Sequence, residues 1–256
     1  MDFTGDIGLW QRKLAESPEG MARRMAVFNA LTVEAGQAVL DLGCGGGHLV
    51  REFAIAVGEG GRAVGFDVSA EQLTAASAVC NGLPAAEFVE GDATNMTFGD
   101  ATFDGLASIH VLEYIAEVDR ALVEARRVLK PGGKAALVSV LWDHWRFHGA
   151  EPELNGRMLD AFRAHCQHQM LPMELPRRLV AAGFGGVMRT PIAFLNGALH
   201  ENTYALWAAK IVAAFAIGQG VPEEDAKRWL EQLDQADKEG RFGFVSVPVL
   251  TTATAI

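Results

Sequence analysis

The chain has 256 residues, of which 50% are hydrophobic and 21% charged, with a mean hydropathy of +0.13. That much apolar material fills a core and excludes wholesale disorder. The 22 Lys and Arg against 32 Asp and Glu leave a net charge of −10 and a pI of about 5.2. This balance repels phosphate backbones and argues against nucleic acid as a partner.

Length divided by about 150 gives roughly 1.7 domains, so one large domain or two small ones fit. Three cysteines (Cys44, Cys80 and Cys166) have no metal spacing and read as reduced thiols of a cytoplasmic protein. The start, Met1 to Asp6, is acidic where a signal peptide carries positive charge. The most apolar late stretch, Ala205 to Ile217, is interrupted by Lys210 and is too short to span about 30 Å of hydrocarbon. A soluble protein without membrane insertion is expected.

In chain order, residues 1–36 read as helical, with a break at Ser17-Pro18-Glu19-Gly20. Ala38 to Leu42 is a strand, Gly43 to Gly47 a glycine turn, and His48 to Val57 an amphipathic helix. Arg62 to Asp67 is a second strand. Ser69 caps a helix running to Cys80, with Gln72 completing a capping box. Glu87 to Glu90 and Phe103 to Ser108 are the third and fourth strands. A helix from Ile115 to Leu129 is stopped by Lys130-Pro131-Gly132-Gly133, and Lys134 to Leu141 is a fifth, buried strand. Beyond it lie a His- and Trp-rich stretch over 142–172, with an amphipathic helix around Leu159 to His168, then a helix from Met173 to Ala182 ended by Gly183. A sixth strand spans Val187 to Phe194, two helices fill 200–239 around Gly218 to Pro222, and a last strand covers Phe242 to Ala253. Strands alternating with helices predict an α/β fold with a doubly wound, mostly parallel sheet. The absence of repeats or a low-complexity linker favours a single domain.

The chemistry concentrates in Val39-Leu40-Asp41-Leu42-Gly43-Cys44-Gly45-Gly46-Gly47. A carboxylate ends a buried strand, glycines let the backbone approach a ligand, and a helix N-terminus follows. A dinucleotide site wants G-x-G-x-x-G, but His48 stands where the third glycine belongs. Asp41 beside the turn suits a cationic ligand end better than a pyrophosphate. Asp67 ends the second strand, where a carboxylate can accept from both ribose hydroxyls, and Asp92 follows the third in Glu90-Gly91-Asp92-Ala93.

These segments resemble the class I S-adenosylmethionine-dependent methyltransferases, in the branch acting in quinone biosynthesis and on small molecules. The resemblance rests on Val39 to Gly47, Gly65-Phe66-Asp67-Val68-Ser69, Glu90 to Ala93, Phe103-Asp104 with Ser108, and Arg127 to Gly133, in that order over about residues 38–141. It implies a Rossmann-like sheet of seven strands in the order 3-2-1-4-5-7-6, with the seventh antiparallel. The implied cofactor is S-adenosylmethionine, with S-adenosylhomocysteine as product. Asp41 would bind the methionine ammonium, Gly43, Cys44 and Gly45 the methionyl part, Asp67 the ribose and Val68 the adenine face. Asp92 and Ala93 would read the adenine edge, and Ser108, Ile109 and His110 would line the sulfonium region. In relatives an N-terminal extension folds over the cofactor, which points to Trp10 or Phe28; core packing is the alternative. Domain organisation follows as one domain over 1–256: a helical cap (1–36), a cofactor-binding core (37–141), and substrate-lid elements (142–172 and 200–240).

On the acceptor side, the family's L-E-H-V segment is Leu112-Glu113-Tyr114-Ile115 here, which makes Tyr114 and His110 candidates. Trp142-Asp143-His144-Trp145-Arg146-Phe147-His148 reads as a pocket wall carrying a base at His144 or His148, or as a capping loop packed on the core. His144 with His148, and His165-Cys166 with His168, are two loose pairs and do not make a zinc site. Cys44 at a helix N-terminus reads as a spacer against the cofactor, the alternative being a reactive thiol of lowered pKa. Tyr204, Trp207, Ile211 and Phe215 share a helical side that roofs the substrate, packs on the sheet, or meets a second subunit of a homodimer. The expected activity is methyl transfer to an O, N or C atom of a small, fairly apolar or aromatic acceptor. The alternatives are a non-catalytic nucleotide-binding or scaffold protein of the same fold, an NAD-dependent oxidoreductase, and nucleic-acid methylation, whose Asn/Asp-Pro-Pro-Tyr and Pro-Cys segments are absent.

Overall fold

A computed structural model describes residues 5–256, so the first four residues of the acidic start Met1 to Asp6 lie outside the described residues. The N-terminal part forms α1 (Gly5–Glu16) and α2 (Pro18–Leu31). The expected four-residue break narrows to Ser17 alone. Its hydroxyl accepts from the Gly20 amide at 3.1 Å and donates to the Leu14 carbonyl at 2.8 Å. Ser17 is thus the N-cap of α2, and Pro18 is tolerated at the first helical position, where no amide hydrogen is needed.

The alternating segment gives β1 (Ala38–Leu42), α3 (His48–Val57), β2 (Arg62–Asp67), α4 (Ala70–Val79), β3 (Ala86–Glu90), β4 (Phe103–Ile109), α5 (Val118–Val128) and β5 (Leu129–Val140). The bounds of β1, α3 and β2 coincide with the predicted ones, because the apolar period changes from two to about 3.6 at the glycine turns. Ser69 caps α4 as expected, accepting from the Gln72 amide at 3.3 Å. Two boundaries differ. A single helical turn at Leu112–Tyr114 precedes α5, so the main helix starts three residues late. Lys130 to Gly133 belong to β5 rather than to a helix-stopping loop. The ladder steps from Phe103 with Leu129 to Gly105 with Lys134. The extra residues therefore bulge out at Pro131, which has no amide to donate, and Gly132, at φ +80°.

Later elements are β6 (Arg146–His148), α6 (Pro152–Phe162), α7 (Leu171–Ala181), β7 (Phe184–Pro191), β8 (Phe194–Asn196), α8 (Tyr204–Gly218), α9 (Glu223–Lys238), β9 (Gly243–Ser246) and β10 (Pro248–Ala255). The helix expected around Leu159 to His168 lies earlier. Pro152 starts it, and Cys166, extended at φ −137°, ψ 163°, closes the following turn. The expected sixth and last strands each split in two, at Pro191 and at Pro248. A proline cannot donate to a ladder, so each is found at a strand end.

The chain divides into two compact units. The first comprises residues 23–140, 170–191 and 249–256; the second comprises, among the described residues, 5–22, 141–169 and 192–248. The first holds a seven-stranded sheet in the order β3-β2-β1-β4-β5-β10-β7. Pairs β1–β2, β1–β4, β2–β3 and β4–β5 are parallel, and β10–β7 is antiparallel. Within this sheet β7 is the sixth strand and β10 the seventh, so the order is the 3-2-1-4-5-7-6 expected from the sequence. Leu40, Leu106, Val128 and Leu175 are buried in its core.

The second unit contains a three-stranded antiparallel sheet, β6-β9-β8. Its centre is aromatic: Phe147 and Phe244 lie 4.4 Å apart and Trp229 meets Phe147 edge-on at 5.2 Å. The stripe predicted on α8 is only part of its buried surface, since Ala205, Ala208, Val212 and Ala216 are buried as well. A helix apolar on most sides packs on more than one neighbour, here α1, α6 and α9.

Candidate functional site

Parallel strands bring their carboxyl ends to one edge, and the first unit gathers Asp41, Asp67 and the segment through Asp92 there. Asp41, one residue before the end of β1, has only 3% of its surface exposed. Burial, then the nearby Asp67 and Glu52 charges, push its carboxyl up to about 8, with Arg24 pulling the other way. A buried acid of this kind is poorly solvated and suited to a cation that arrives with a ligand.

The glycine turn is tied to β2. The amides of Gly43 and Cys44 both donate to the Phe66 carbonyl, at 2.7 and 3.2 Å. Gly43 has φ +73°, and a Cβ there would stand 2.1 Å from a Val111 methyl, so only glycine fits. Gly45, at φ +49°, donates its amide to Asp67 Oδ2 at 2.9 Å. Asp67 Oδ1 accepts from the Ser69 amide at 3.0 Å. A carboxylate offers about four lone-pair positions, so Asp67 retains capacity for two hydroxyl donors.

The Asp67 carbonyl accepts from the Gly91 amide at 3.0 Å, which sets the start of the next loop. There Asp92 Oδ1 accepts from the Thr94 amide and hydroxyl, each at 2.8 Å. These bonds hold the exposed Asp92 below the usual carboxylate range. Ala93 is half-buried against the core, and Val68 stands 75% exposed beside Asp67. An apolar side chain left this open beside a carboxylate matches a surface that a flat ring would cover. Ser108 is buried and donates to the Leu42 carbonyl at 3.0 Å, locking β4 to β1, and Ile109 is half-buried.

Cys44 is buried, and burial followed by the Asp41 and Asp67 charges pushes its thiol well above the ordinary range. The lowered pKa weighed from its position at a helix N-terminus is therefore not found; desolvation and neighbouring carboxylates outweigh the helix dipole. Phe28 stacks on Phe53 at 5.9 Å within the first unit. Trp10 lies half-buried on α1 in the second unit.

The acceptor-side candidates fall in both units. His110 follows β4 in the first unit with φ +58°, rare for a residue with a side chain. Its amide donates to the Val138 carbonyl at 2.8 Å, and its Nε2 lies 3.0 Å from Nη1 of the buried Arg23. Tyr114 is half-buried on the turn that follows. In the second unit His144 and His148 are exposed, whereas Trp145 and Phe147 between them, and Trp142 before them, are buried. Alternation explains this: the Trp and Phe positions face the aromatic cluster and the histidines face away. Within this unit a cavity of about 320 Å³ is lined by Trp142, Trp145, Phe162, Arg146 and His165 among others. Burial lowers the His165 pKa to about 4. Among the described residues no group of three or more His, Cys, Asp or Glu gathers as metal ligands would.

Three polar residues at this edge were not singled out from sequence: Arg23, Glu113 and Ser139, buried at 4%, 0% and 1% exposure. For Glu113 a signal existed, a lone acid inside the apolar run from Ile109 to Ile115. Arg23 beside Arg24 reads as an ordinary solvated helix face, and Ser139 carries no local signal.

Fold and edge together resemble those of the class I methyltransferases. Residues 40–137 match the family described as Methyltransferase domain. Among curated proteins, an uncharacterized 37.1 kDa protein in transposon TN4556 of Streptomyces fradiae is 28% identical over 229 residues, covering 86% of this chain and 64% of that one. The 2-phytyl-1,4-naphtoquinone methyltransferase of Thermosynechococcus vestitus is 38% identical over 116 residues, covering 45% of this chain and 51% of the enzyme. The chain thus spans about half to two thirds of the length of these relatives. Among solved structures, the YcgJ protein from Bacillus subtilis aligns with a TM-score of 0.64 at 20% identity, covering 92% of this chain and 98% of that one. That likeness is one of fold. Among the described residues no helix is long and apolar enough to cross a membrane.

Proposed function

We propose that this chain transfers a methyl group from S-adenosylmethionine to a small, fairly apolar or aromatic acceptor. The observation that carries the reading is the buried Asp41 beside a glycine turn, on one sheet edge with Asp67 and Asp92, inside the matched domain. The donor set fits this cofactor: a desolvated acid for an ammonium group, a carboxylate with spare acceptor capacity for a diol, and an open valine for a flat ring. When bound, the cofactor supplies an electrophilic sulfonium methyl. The protein's share is to hold the ends of that molecule, align the acceptor and exclude water.

In this reading Asp41 pairs with the methionine ammonium, and Gly43, Cys44 and Gly45 lie along the methionyl part. Asp67 accepts from the ribose, Val68 covers the adenine, and Asp92 with Ala93 reads its edge. Ser108 and Ile109 line the sulfonium region. His110 and Tyr114 are the groups of the first unit offered to hydrogen-bond the acceptor. The name of the Thermosynechococcus relative favours a naphthoquinone-type acceptor. Free Cys44, Cys80 and Cys166 favour a reducing, cytoplasmic setting.

Calorimetry with S-adenosylhomocysteine tests the cofactor half of the reading. Saturable binding, weakened at least tenfold in Asp67→Ala, is expected. No binding, or undiminished binding by that variant, would overturn it. Methyl transfer from labelled S-adenosylmethionine to 1,4-naphthoquinol tests the acceptor half.

A further inference from the structure

Beside the residues assigned to the cofactor, the first unit keeps a buried acid with an open oxygen. Glu113, on the turn Leu112–Tyr114, is fully buried. Its Oε2 accepts from the Ser139 hydroxyl at 3.0 Å, while Oε1 has no hydrogen-bond partner. A buried carboxyl oxygen left without a donor is costly, and such groups mark ligand or catalytic positions.

The surroundings put this residue at the carboxyl edge of the sheet. Val111, two residues before Glu113, is the side chain against which Gly43 packs. Val138, immediately before Ser139, accepts from the His110 amide. Glu113 therefore sits where β4 and β5 end, on the edge that also carries Asp41 and Asp67; ligands of open α/β sheets bind at such edges. The charged group that acts on it is Arg23 from α2, which also bonds His110 after β4. A guanidinium has donors only, so the Arg23–His110 bond requires an unprotonated His110 Nε2 that is already accepting. That nitrogen is engaged, and the acid with a vacant acceptor is Glu113.

We propose that Glu113 is the proton acceptor for the methyl-accepting molecule, and that this molecule carries a phenolic or enolic O–H. The inference rests on the methyl-transfer reading above. In the step, the O–H bond of the acceptor breaks and the proton passes to Glu113 Oε1. The electron pair stays on the acceptor, whose oxygen or conjugated ring carbon becomes the nucleophile, and the proton later leaves to bulk water. Burial, held back by hydrogen bonds from the Glu113 amide, the Ser139 hydroxyl and the Val140 amide and by the Arg23 charge, brings the carboxyl to about 7. A base of that strength works near neutrality.

The test uses the full chain as wild type, Glu113→Gln, Glu113→Asp and Ser139→Ala, all with S-adenosylhomocysteine affinity checked by calorimetry. Affinities within about threefold of wild type are expected, since none of these groups is placed against the cofactor. Carbon-13 NMR of the carboxyl groups, with S-adenosylhomocysteine bound, should show a glutamate titrating near neutral pH. That signal should vanish in Glu113→Gln, move to higher pH in Ser139→Ala, and shift again on addition of 1-naphthol as a phenolic probe. With 1,4-naphthoquinol as acceptor, Glu113→Gln should lower kcat by about a hundredfold or more and flatten its acid limb. Glu113→Asp should restore part of the rate. A titration unmoved by 1-naphthol, or a Glu113→Gln variant that keeps both kcat and acid limb, overturns the proposal alone. Failure of the wild type to bind S-adenosylhomocysteine overturns the methyl-transfer reading and this proposal with it.

Discussion

Asp41 ties cofactor binding to pH. Its carboxyl sits near 8 in the ligand-free protein because burial and two neighbouring carboxylates disfavour the charge. An ammonium partner requires the ionised form, so binding must first remove a proton. At pH 7 about nine in ten molecules are protonated at this group, which costs the complex about 1.4 kcal/mol; at pH 6 the cost is about 2.7 kcal/mol. Affinity for S-adenosylhomocysteine should fall roughly tenfold per pH unit below 8, and binding at pH 7 should release about 0.9 proton. Calorimetry in buffers of different ionisation enthalpy reads that proton directly. In Asp41→Asn the release and the pH dependence should disappear together with most of the affinity. The ligand-free protein should respond with the opposite sign. Its raised pKa means that the unfolded chain ionises first as pH rises from about 4 to 8, so this group removes stability over that window. Asp41→Asn should then melt higher than wild type at pH 8 without ligand. Binding that is flat between pH 6 and 8, with no buffer-dependent heat, would refute the reasoning.

Three further outcomes follow from the geometry. Gly43→Ala should destabilise by about 1–3 kcal/mol in urea melts, because its Cβ meets Val111 and its φ is positive; an unchanged midpoint would count against the turn as described. Ser17→Ala removes the acceptor for the Gly20 amide and should lower stability by about 1 kcal/mol, read as a reduced Tm. Cys44, buried among acids, should react with a thiol reagent much more slowly than the partly exposed Cys166. Peptide mapping that finds Cys44 labelled first would contradict the burial argument.

Local pattern explains which features were legible in the chain. The bounds of β1, α3 and β2 match because apolar period and glycine turns are properties of neighbouring residues. The three acids could be placed at strand ends for the same reason, since a strand's direction and its terminal residue define the edge. The β5 bulge and the splitting of both late strands at Pro191 and Pro248 were harder, because a proline says where a ladder cannot continue but not which sheet the next strand joins.

Other features depend on contacts between distant residues. Arg23 meets His110 across 87 positions, and Glu113 meets Ser139 across 26. No periodicity reports such pairs, so their burial came only with the fold. The two compact units interleave, each built from three separated stretches of chain, which composition and linker signals do not reveal. The sequence by itself determined the parallel sheet, its glycine turn and the acids along its edge, because these follow from local spacing and strand direction. Tertiary structure alone decided the state of those groups: Asp41 is held near 8, Cys44 is kept protonated, and Glu113 is left with an open oxygen. Desolvation and charge depend on what packs around a side chain, and that is a property of the folded chain rather than of its order.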